Sequence, residues 1–157
     1  MRFVALCFCL LSAVLVSVLA APAAQASGAR VDRGERAVLR AINAARAHHG
    51  LRHVRSHRRL ARAADAHTRH MLAADFFAHG AFSQRVRRYV RFRSIGETLA
   101  WSSRCSARHL VRMWLNSPGH RAVLLSRTYR RVGIGRRLGD FGGRRACVVT
   151  ADFASRR

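Results

Sequence analysis

The chain has 157 residues, a length typical of one domain, with 30 basic residues, 7 acidic residues and a formal net charge of +23. All of the basic residues are arginine, they are spread through the chain without a separate basic tail, and they form no known nucleic-acid motif, so no specific nucleic-acid recognition is predicted. The charge predicts attraction to polyanions, such as phosphate-rich wall polymers, anionic lipid head groups or nucleic acid. Codon bias in a GC-rich genome is an alternative explanation for part of this excess of arginine.

Residues 1–26 predict a secretory signal peptide. Met1-Arg2 is a short positive start, residues 3–19 are almost wholly apolar, and Ala24-Gln25-Ala26 supplies the small-x-small pattern of a cleavage site. The mature protein is therefore expected to begin near Ser27 and to be secreted. An uncleaved membrane anchor is the alternative, because the apolar run approaches the thickness of a bilayer.

The four cysteines fall into two groups. Cys7 and Cys9 lie in the apolar run and are expected to leave with the signal peptide. Cys105 and Cys147 remain as an even pair in an exported chain, which favours a disulfide that would stabilise the fold by roughly 2–4 kcal/mol. Two unpaired buried thiols are the alternative. A cysteine-based zinc site is not expected, because no Cys-x-x-Cys spacing is present.

Two helices are predicted in the first half of the domain, which we place at residues 35–157 after a linker at 27–34. Apolar residues at helical spacing predict the first helix over 35–47 and a second over 56–74 with Ser56 as its cap. The arginines of the first helix, at 33, 36, 40 and 46, are expected to lie largely off its buried face. Both helices should pack their apolar faces on the rest of the domain.

The middle of the chain carries two candidate polar positions. His79 follows two adjacent aromatic residues and precedes Gly80, a place where a side chain can be held fixed. Residues 81–94 have few apolar anchors and five arginines, which predicts an exposed loop or a short irregular helix. Glu97 is a carboxylate between glycine and apolar residues, and we expect it to be paired.

A third helix is predicted over 104–115, followed at once by a short fourth. Pro118 disfavours helix at Ser117, so the third helix should stop there, while Ser117 can cap the next helix with Pro118 at its first position. His120 then lies in the first turn, where the helix N-terminus tends to depress an imidazole pKa. A neutral ring there could accept a proton, a hydrogen bond or a metal ion. A histidine that merely faces solvent is the alternative.

Strands are predicted at the end of the chain. Residues 131–135 and 146–153 are rich in β-branched and apolar residues, and the glycines of 139–143 suit a hairpin between them. Because a lone hairpin is barely stable, a third strand is expected from 98–101 or from the region of Val54. The sequence thus predicts an α+β domain in which helices flank a small antiparallel sheet.

Six short sequence blocks follow one another along residues 36–154. They are Leu39-x-x-Ile42-Asn43-x-x-Arg46, Phe77-Ala78-His79, Gly96-Glu97-Thr98-Leu99-Ala100, Trp114-Leu115-Asn116-Ser117-Pro118-Gly119-His120-Arg121, Val132-Gly133-Ile134-Gly135 and Val149-Thr150-Ala151-Asp152-Phe153. In this order they resemble the bacterial branch of the CAP superfamily (cysteine-rich secretory proteins, antigen 5 and pathogenesis-related 1). The resemblance implies an α-β-α sandwich, secretion, and an open cleft where histidines and glutamates meet.

By this resemblance, His79, Glu97 and His120 are the cleft residues. The chain departs from the full pattern, because Leu115-Asn116-Ser117 stand where a second glutamate would follow the helix tryptophan. The histidine of the animal Gly-His-Tyr-Thr-Gln block also has no match. Two imidazoles and a carboxylate could hold zinc or another divalent cation with water in the open position. The alternative is a hydrogen-bonded polar cluster that only orders the loops.

Three functions remain open on the sequence. The first is a non-enzymatic binding module for a lipid, sterol or cell-envelope ligand, as the resemblance implies for several family members. The second is a cationic protein that binds anionic polymers or a membrane surface through its arginines, without a defined site. The third is a metal-assisted hydrolase or peptidase that uses His79, Glu97 and His120. A metal-activated water would be the nucleophile in that case, because no Gly-x-Ser-x-Gly motif is present. The sequence specifies neither the ligand nor the oligomeric state.

Overall fold

The structure, a computed structural model, describes residues 32–156, so the predicted signal peptide and most of the linker lie outside the described residues. Within this range the chain forms five helices and four strands. In chain order they are α1 Arg33–His48, β1 Arg55–Ser56, α2 Arg58–Ala73, α3 Phe82–Arg87, β2 Ile95–Ser102, α4 Ala107–Leu115, α5 Pro118–Leu124, β3 Arg131–Phe141 and β4 Arg144–Ala154.

The four strands form one mixed sheet in the order β1-β3-β4-β2. β3 and β4 are a hairpin closed by Gly142 and Gly143, whose φ values of 56° and 71° suit glycine. Both candidate regions for a third strand contribute one. β2 pairs antiparallel with β4 as predicted, and the two-residue β1 adds a parallel pair with β3, so the predicted antiparallel sheet is extended to a mixed one. A strand of two residues leaves no periodic signal, and its direction is set by the chain that leads into it.

Helices cover both faces of the sheet and give the predicted α-β-α sandwich. α1, α4 and α5 lie on one face, around a core that includes Ile42, Trp114 and Phe153. α2 lies on the other face, directly against β3 and β4. A Cβ added at Gly133 of β3 would lie 2.0 Å from the carbonyl carbon of Leu60 in α2, so only glycine allows this approach.

Two local predictions need correction. Ser56 belongs to β1, and His57 caps α2 instead by accepting a hydrogen bond from the backbone N–H of Leu60 at 3.4 Å. Residues 81–94 contain a short helix, but the segment is not simply exposed, since Val86, Val90 and Phe92 are buried. The expectation missed these anchors because they are single apolar residues between arginines.

Arg46 is the clearest departure, because it is fully buried although it was expected off the packed face of α1. Its Nη1 donates to the carbonyl oxygens of Leu124 at 2.7 Å and Ser126 at 3.1 Å, and its Nε donates to that of Arg52 at 3.0 Å. The guanidinium thereby satisfies carbonyls at and just beyond the end of α5 that the helix itself cannot pair. It fixes α5 against α1, and with α5 it fixes the position of His120.

Cys105 and Cys147 form the predicted disulfide. Cys105 lies just before α4, and Cys147 is a buried residue of β4, so the bond joins the helical layer to the centre of the sheet across 42 residues of chain.

Removing this bond should destabilise the protein without changing its fold. We expect Cys105→Ala/Cys147→Ala to lower the free energy of unfolding by about 2–4 kcal/mol, because the unfolded chain loses a loop constraint. Urea unfolding followed by tryptophan fluorescence measures the change. Reduction of the wild type should reproduce it, and reduction of the double variant should have no effect. Two alkylatable thiols in the unreduced wild type would contradict the disulfide.

Candidate functional site

Three separate elements bring His79, Glu97 and His120 together. His79 lies in the loop between α2 and α3, Glu97 on β2, and His120 in the first turn of α5. His79 Nδ1 lies 2.8 Å from Glu97 Oε1, and the rings of His79 and His120 have centroids 6.0 Å apart. Because a carboxylate only accepts, His79 donates from Nδ1 and keeps Nε2 available.

The loop of His79 is held by a residue that the sequence interpretation left outside the site. His67 in α2 is buried, and its Nε2 lies 2.9 Å from the carbonyl oxygen of Ala78, to which it donates. Burial is the main cause that lowers the pKa of His67, and the nearby Arg85 lowers it further. His67 therefore acts as a neutral donor that positions His79.

Below the histidines lies a buried charge cluster that the sequence did not predict. Arg85 of α3 donates from Nη2 to Glu97 Oε2, and its Nη1 lies 3.4 Å from Asp152 Oδ2. Glu97 and Asp152 are cross-strand partners on β2 and β4, and both side chains are almost completely buried. Asp152 could have been noticed as an acid inside an apolar strand. Arg85 could not, since it is one of five similar arginines between 81 and 94.

Asp152 is the group whose ionisation is most altered. Burial raises its pKa well above the usual range, and the charge of the neighbouring Glu97 raises it further, whereas Arg85 acts in the opposite sense. Within residues 32–156, Asp152 Oδ1 has no hydrogen-bond partner, a lower cost for a neutral acid than for a carboxylate. The cluster is therefore a pair of buried carboxyl groups that share one guanidinium.

His120 has a lowered pKa, as the sequence predicted, but for another reason. Burial is the larger cause and the charge of His79 the smaller one, rather than the end of α5. Ser117 occupies the N-cap position of α5 without a side-chain hydrogen bond to the helix. A neutral His120 ring is thus available for a hydrogen bond in the cleft.

Glu97 is not free for the predicted metal ligation. Both oxygens of Glu97 are already engaged, one by His79 and one by Arg85. No group of three or more histidine, cysteine, aspartate or glutamate side chains in the described part of the chain is arranged to hold a metal ion. As placed, the residues do not fit a metal centre, because a guanidinium supplies the positive charge beside the carboxyl groups. Ligation by His79, Glu97 and His120 stays a prediction.

An apolar cleft of about 250 Å³ adjoins His120. Phe77 and Met113, two of the three large apolar side chains that are exposed within residues 32–156, lie at this cleft, with exposed fractions of 40% and 36%. Trp114 is fixed at its wall by donating from Nε1 to the carbonyl oxygen of Leu99 at 2.8 Å. The remaining wall residues are Ala100, Trp101 and Ser117.

A mixed sheet between helical layers, with histidines and a glutamate meeting beside β2, defines a CAP-type α-β-α sandwich domain. The model of the cysteine-rich secretory protein (CAP) family matches residues 39–153, and the chain belongs to that family. The sequence resemblance is thereby confirmed.

The comparisons with solved structures agree. An extracellular protein with an SCP domain from Bacillus anthracis is 25% identical with a TM-score of 0.67, over 77% of this chain and 40% of its own length. An outer surface protein from Borrelia burgdorferi has the same fold, with a TM-score of 0.67 at 21% identity, over 82% of this chain and 96% of its own.

A curated relative contains a similar segment within a longer protein. The uncharacterized membrane protein YlbC of Bacillus subtilis is 31% identical over 107 residues, which cover 64% of this chain and 31% of YlbC. The chain thus spans about a third of that relative's length. Among the described residues of this chain, we find no helix with the length and apolar character needed to span a bilayer.

The charge cluster makes Arg85 a strong determinant of stability. We expect Arg85→Gln to lower the free energy of unfolding by about 3–5 kcal/mol at neutral pH, because it leaves Glu97 and Asp152 buried without their cation. The loss should shrink as the pH falls, since protonation removes the uncompensated charge. Urea unfolding at several pH values measures this. The exposed Arg87 of the same helix is the matched control, and Arg87→Gln should change little. Equal losses of unfolding free energy in Arg85→Gln and Arg87→Gln would contradict the role of Arg85 as the cation of the buried cluster.

A zinc titration tests the metal prediction directly. We expect no tight zinc binding to the wild type by calorimetry, because Glu97 is held by Arg85 and His79. A tight site of one zinc per chain in the wild type that disappears in Glu97→Gln would instead restore the predicted metal centre, and it would mean that Arg85 leaves Glu97 when zinc binds.

Proposed function

We propose that this chain is a secreted CAP-domain binding module that takes a lipid, sterol or cell-envelope ligand at the apolar cleft beside His120. The observation that carries the proposal is the pairing of exposed apolar side chains, Phe77 and Met113, with His120 at the same cleft, where the ring of His79 lies 6.0 Å from that of His120. Exposed apolar residues that lie together in a concavity are typical of a ligand-binding site.

The size of the cleft limits what it takes. Its volume of about 250 Å³ lies just below the range of roughly 300–1,000 Å³ that encloses a drug-sized ligand. It therefore suits one end of an apolar molecule, such as a short stretch of acyl chain or the edge of a ring system. The rest of the ligand would lie over Phe77 and Met113, whose apolar surface would then be removed from water.

The polar side of the cleft suits the other end of such a ligand. His120 is kept neutral by burial, and His79 keeps Nε2 available while it donates from Nδ1 to Glu97. These nitrogens can hydrogen-bond a hydroxyl or a polar head group. Glu97 of the buried cluster holds the ring of His79 in place before the ligand arrives. An amphipathic ligand matches both halves.

Hydrolysis is less well supported. A metal-assisted reaction needs an open metal site or a base free to activate water. Here Glu97 is engaged on both oxygens, and Asp152 is completely buried beside Arg85, so neither carboxyl group is free to activate water.

Secretion is supported by the predicted signal peptide, the disulfide and the extracellular and outer-surface relatives.

The cleft contains both tryptophans of the chain, Trp101 and Trp114, which allows a direct test. We expect energy transfer from these tryptophans to cis-parinaric acid, a fluorescent fatty acid, or to dehydroergosterol, a fluorescent sterol. Met113→Glu should weaken that binding at least about tenfold, since a charge in an apolar cleft is costly to bury.

Leu138 of β3 supplies the matched control, because it is exposed (52%) and does not line the cleft. Leu138→Glu should leave the affinity unchanged. Failure of both probes to bind the wild type, or equal effects of the two substitutions, would refute the proposed cleft.

A further inference from the structure

Three adjoining cavities form one groove where β1 meets the ends of β3 and β4. Their volumes are about 690, 460 and 400 Å³, and they share lining residues: Phe92 is common to the first two, and Arg131 and Arg156 to the last two. Ten arginines line the three cavities. We call this surface the arginine groove, and it runs from residues 87–93 past Arg131 and Arg156 to residues 52–55. None of its lining residues belongs to the apolar cleft.

The arginines of one wall are held by apolar anchors. Along residues 90–93 the side chains alternate, with Val90 and Phe92 buried and Arg91 and Arg93 exposed. The ring of Phe92 also packs edge-on against His57, with centroids 5.3 Å apart. The guanidinium groups thus project from a backbone that is fixed although it belongs to no helix or strand.

Backbone hydrogen bonds join the other segments of the groove. The N–H of Arg55 donates to the carbonyl of Arg130 at 3.0 Å, and the N–H of Arg130 donates to that of Ala154 at 2.8 Å. Ser155 donates from its N–H to the carbonyl of Ser94 at 3.0 Å. In addition, Arg55 and Arg131 are direct partners in the β1–β3 pairing. Four segments of the chain therefore present their arginines from one connected framework.

The charge of the groove is not balanced within the described protein. All seven acidic residues lie in residues 32–156, and none of them lines the groove. The arginine–carboxylate pairs of this part of the chain involve Arg69, Arg85, Arg136 and Arg137, which are all outside it. Ten guanidinium groups along one concave surface repel one another and attract a multivalent anion.

We propose that the arginine groove is a binding site for a linear phosphate polymer, such as an anionic poly(phosphodiester) of a cell envelope. Guanidinium groups match phosphate in geometry as well as in charge, and a row of them fits a repeating phosphate chain better than a single anion. This goes beyond the diffuse attraction expected from net charge, because it assigns the binding to one surface.

The lining of the groove argues against nucleic acid as the occupant. Single-stranded nucleic acid is usually held by stacking of its bases on open aromatic rings. Phe92 is buried, Tyr89 and His57 are half-buried, and within residues 32–156 the imidazole of His53 is the one exposed aromatic ring that lines the groove. The surface thus recognises phosphate groups and offers little to bases.

The experiment compares two variants with the same change in net charge. The groove variant carries Arg55→Gln, Arg91→Gln, Arg131→Gln and Arg156→Gln. Binding of fluorescently labelled inorganic polyphosphate is measured by anisotropy at several salt concentrations. We expect this variant to bind at least about tenfold more weakly than the wild type, and the slope of log K against log salt to fall by about 3, since each lost phosphate contact removes about 0.7 from the slope.

The control variant carries Arg40→Gln, Arg104→Gln, Arg108→Gln and Arg112→Gln, all exposed positions outside the groove. It should bind polyphosphate within about twofold of the wild type. Equal weakening of polyphosphate binding in the two variants would overturn the assignment of binding to the arginine groove, and diffuse charge would then be its cause. Thermal unfolding of both variants checks that each is folded.

Two further probes distinguish other occupants. Oligothymidylate of the same charge should bind no more tightly than polyphosphate, and tighter binding would assign the surface to nucleic acid instead. Vesicles of phosphatidylglycerol and phosphatidylcholine should release the protein when polyphosphate is added. Vesicle binding that polyphosphate does not displace, and that the groove variant retains, would assign the interaction to a membrane surface elsewhere on the protein.

Discussion

The close approach of α2 to β3 is the contact on which the site depends. A Cβ at Gly133 or Gly135 would lie 2.0 Å or 2.5 Å from backbone atoms of α2, so any side chain there would push the helix off the sheet. From that position α2 places His67 within reach of the loop that carries His79. Gly133 is also the cross-strand partner of Asp152, so the tight packing and the buried acid occupy the same part of the sheet. The glycines of β3 thus determine how closely α2 and its His67 approach the part of the sheet that carries Asp152.

Charge is distributed in this protein by two different rules. Inside, a carboxylate cannot be buried alone, and Glu97 and Asp152 share Arg85, while burial raises the pKa of Asp152. Outside, a solvated guanidinium needs no partner, so arginines can accumulate without unfolding the chain. With 30 basic residues and 7 acidic ones, most arginines have no carboxylate available to them. The excess is therefore a property of the surface, and the fold decides where it is concentrated.

The proposed cleft and the proposed groove use different edges of the sheet. β2 is one edge and contributes Leu99 and Trp101 to the apolar cleft, whereas β1 is the other edge and contributes Arg55 to the arginine groove. The first surface depends on removal of apolar area from water and is insensitive to salt. The second depends on counterion release and weakens with salt. Together the two proposals describe a protein held on an anionic envelope polymer while its cleft stays open for a small amphipathic ligand.

Sequence patterns were sufficient to predict the main helices, the hairpin, the disulfide and the meeting of the three cleft residues, since each depends on a local signal or on an ordered set of motif blocks. Pro118 after Ser117 is enough to begin α5, for example. Packing alone decided the parallel direction of β1, the burial of Arg46, the selection of Arg85 as the cation of the site, and the assembly of the groove. These features depend on residues far apart in the chain, and the arginines involved have neighbours of similar composition and charge. Only tertiary contacts distinguish an arginine that pairs with a buried carboxyl group from one that faces water.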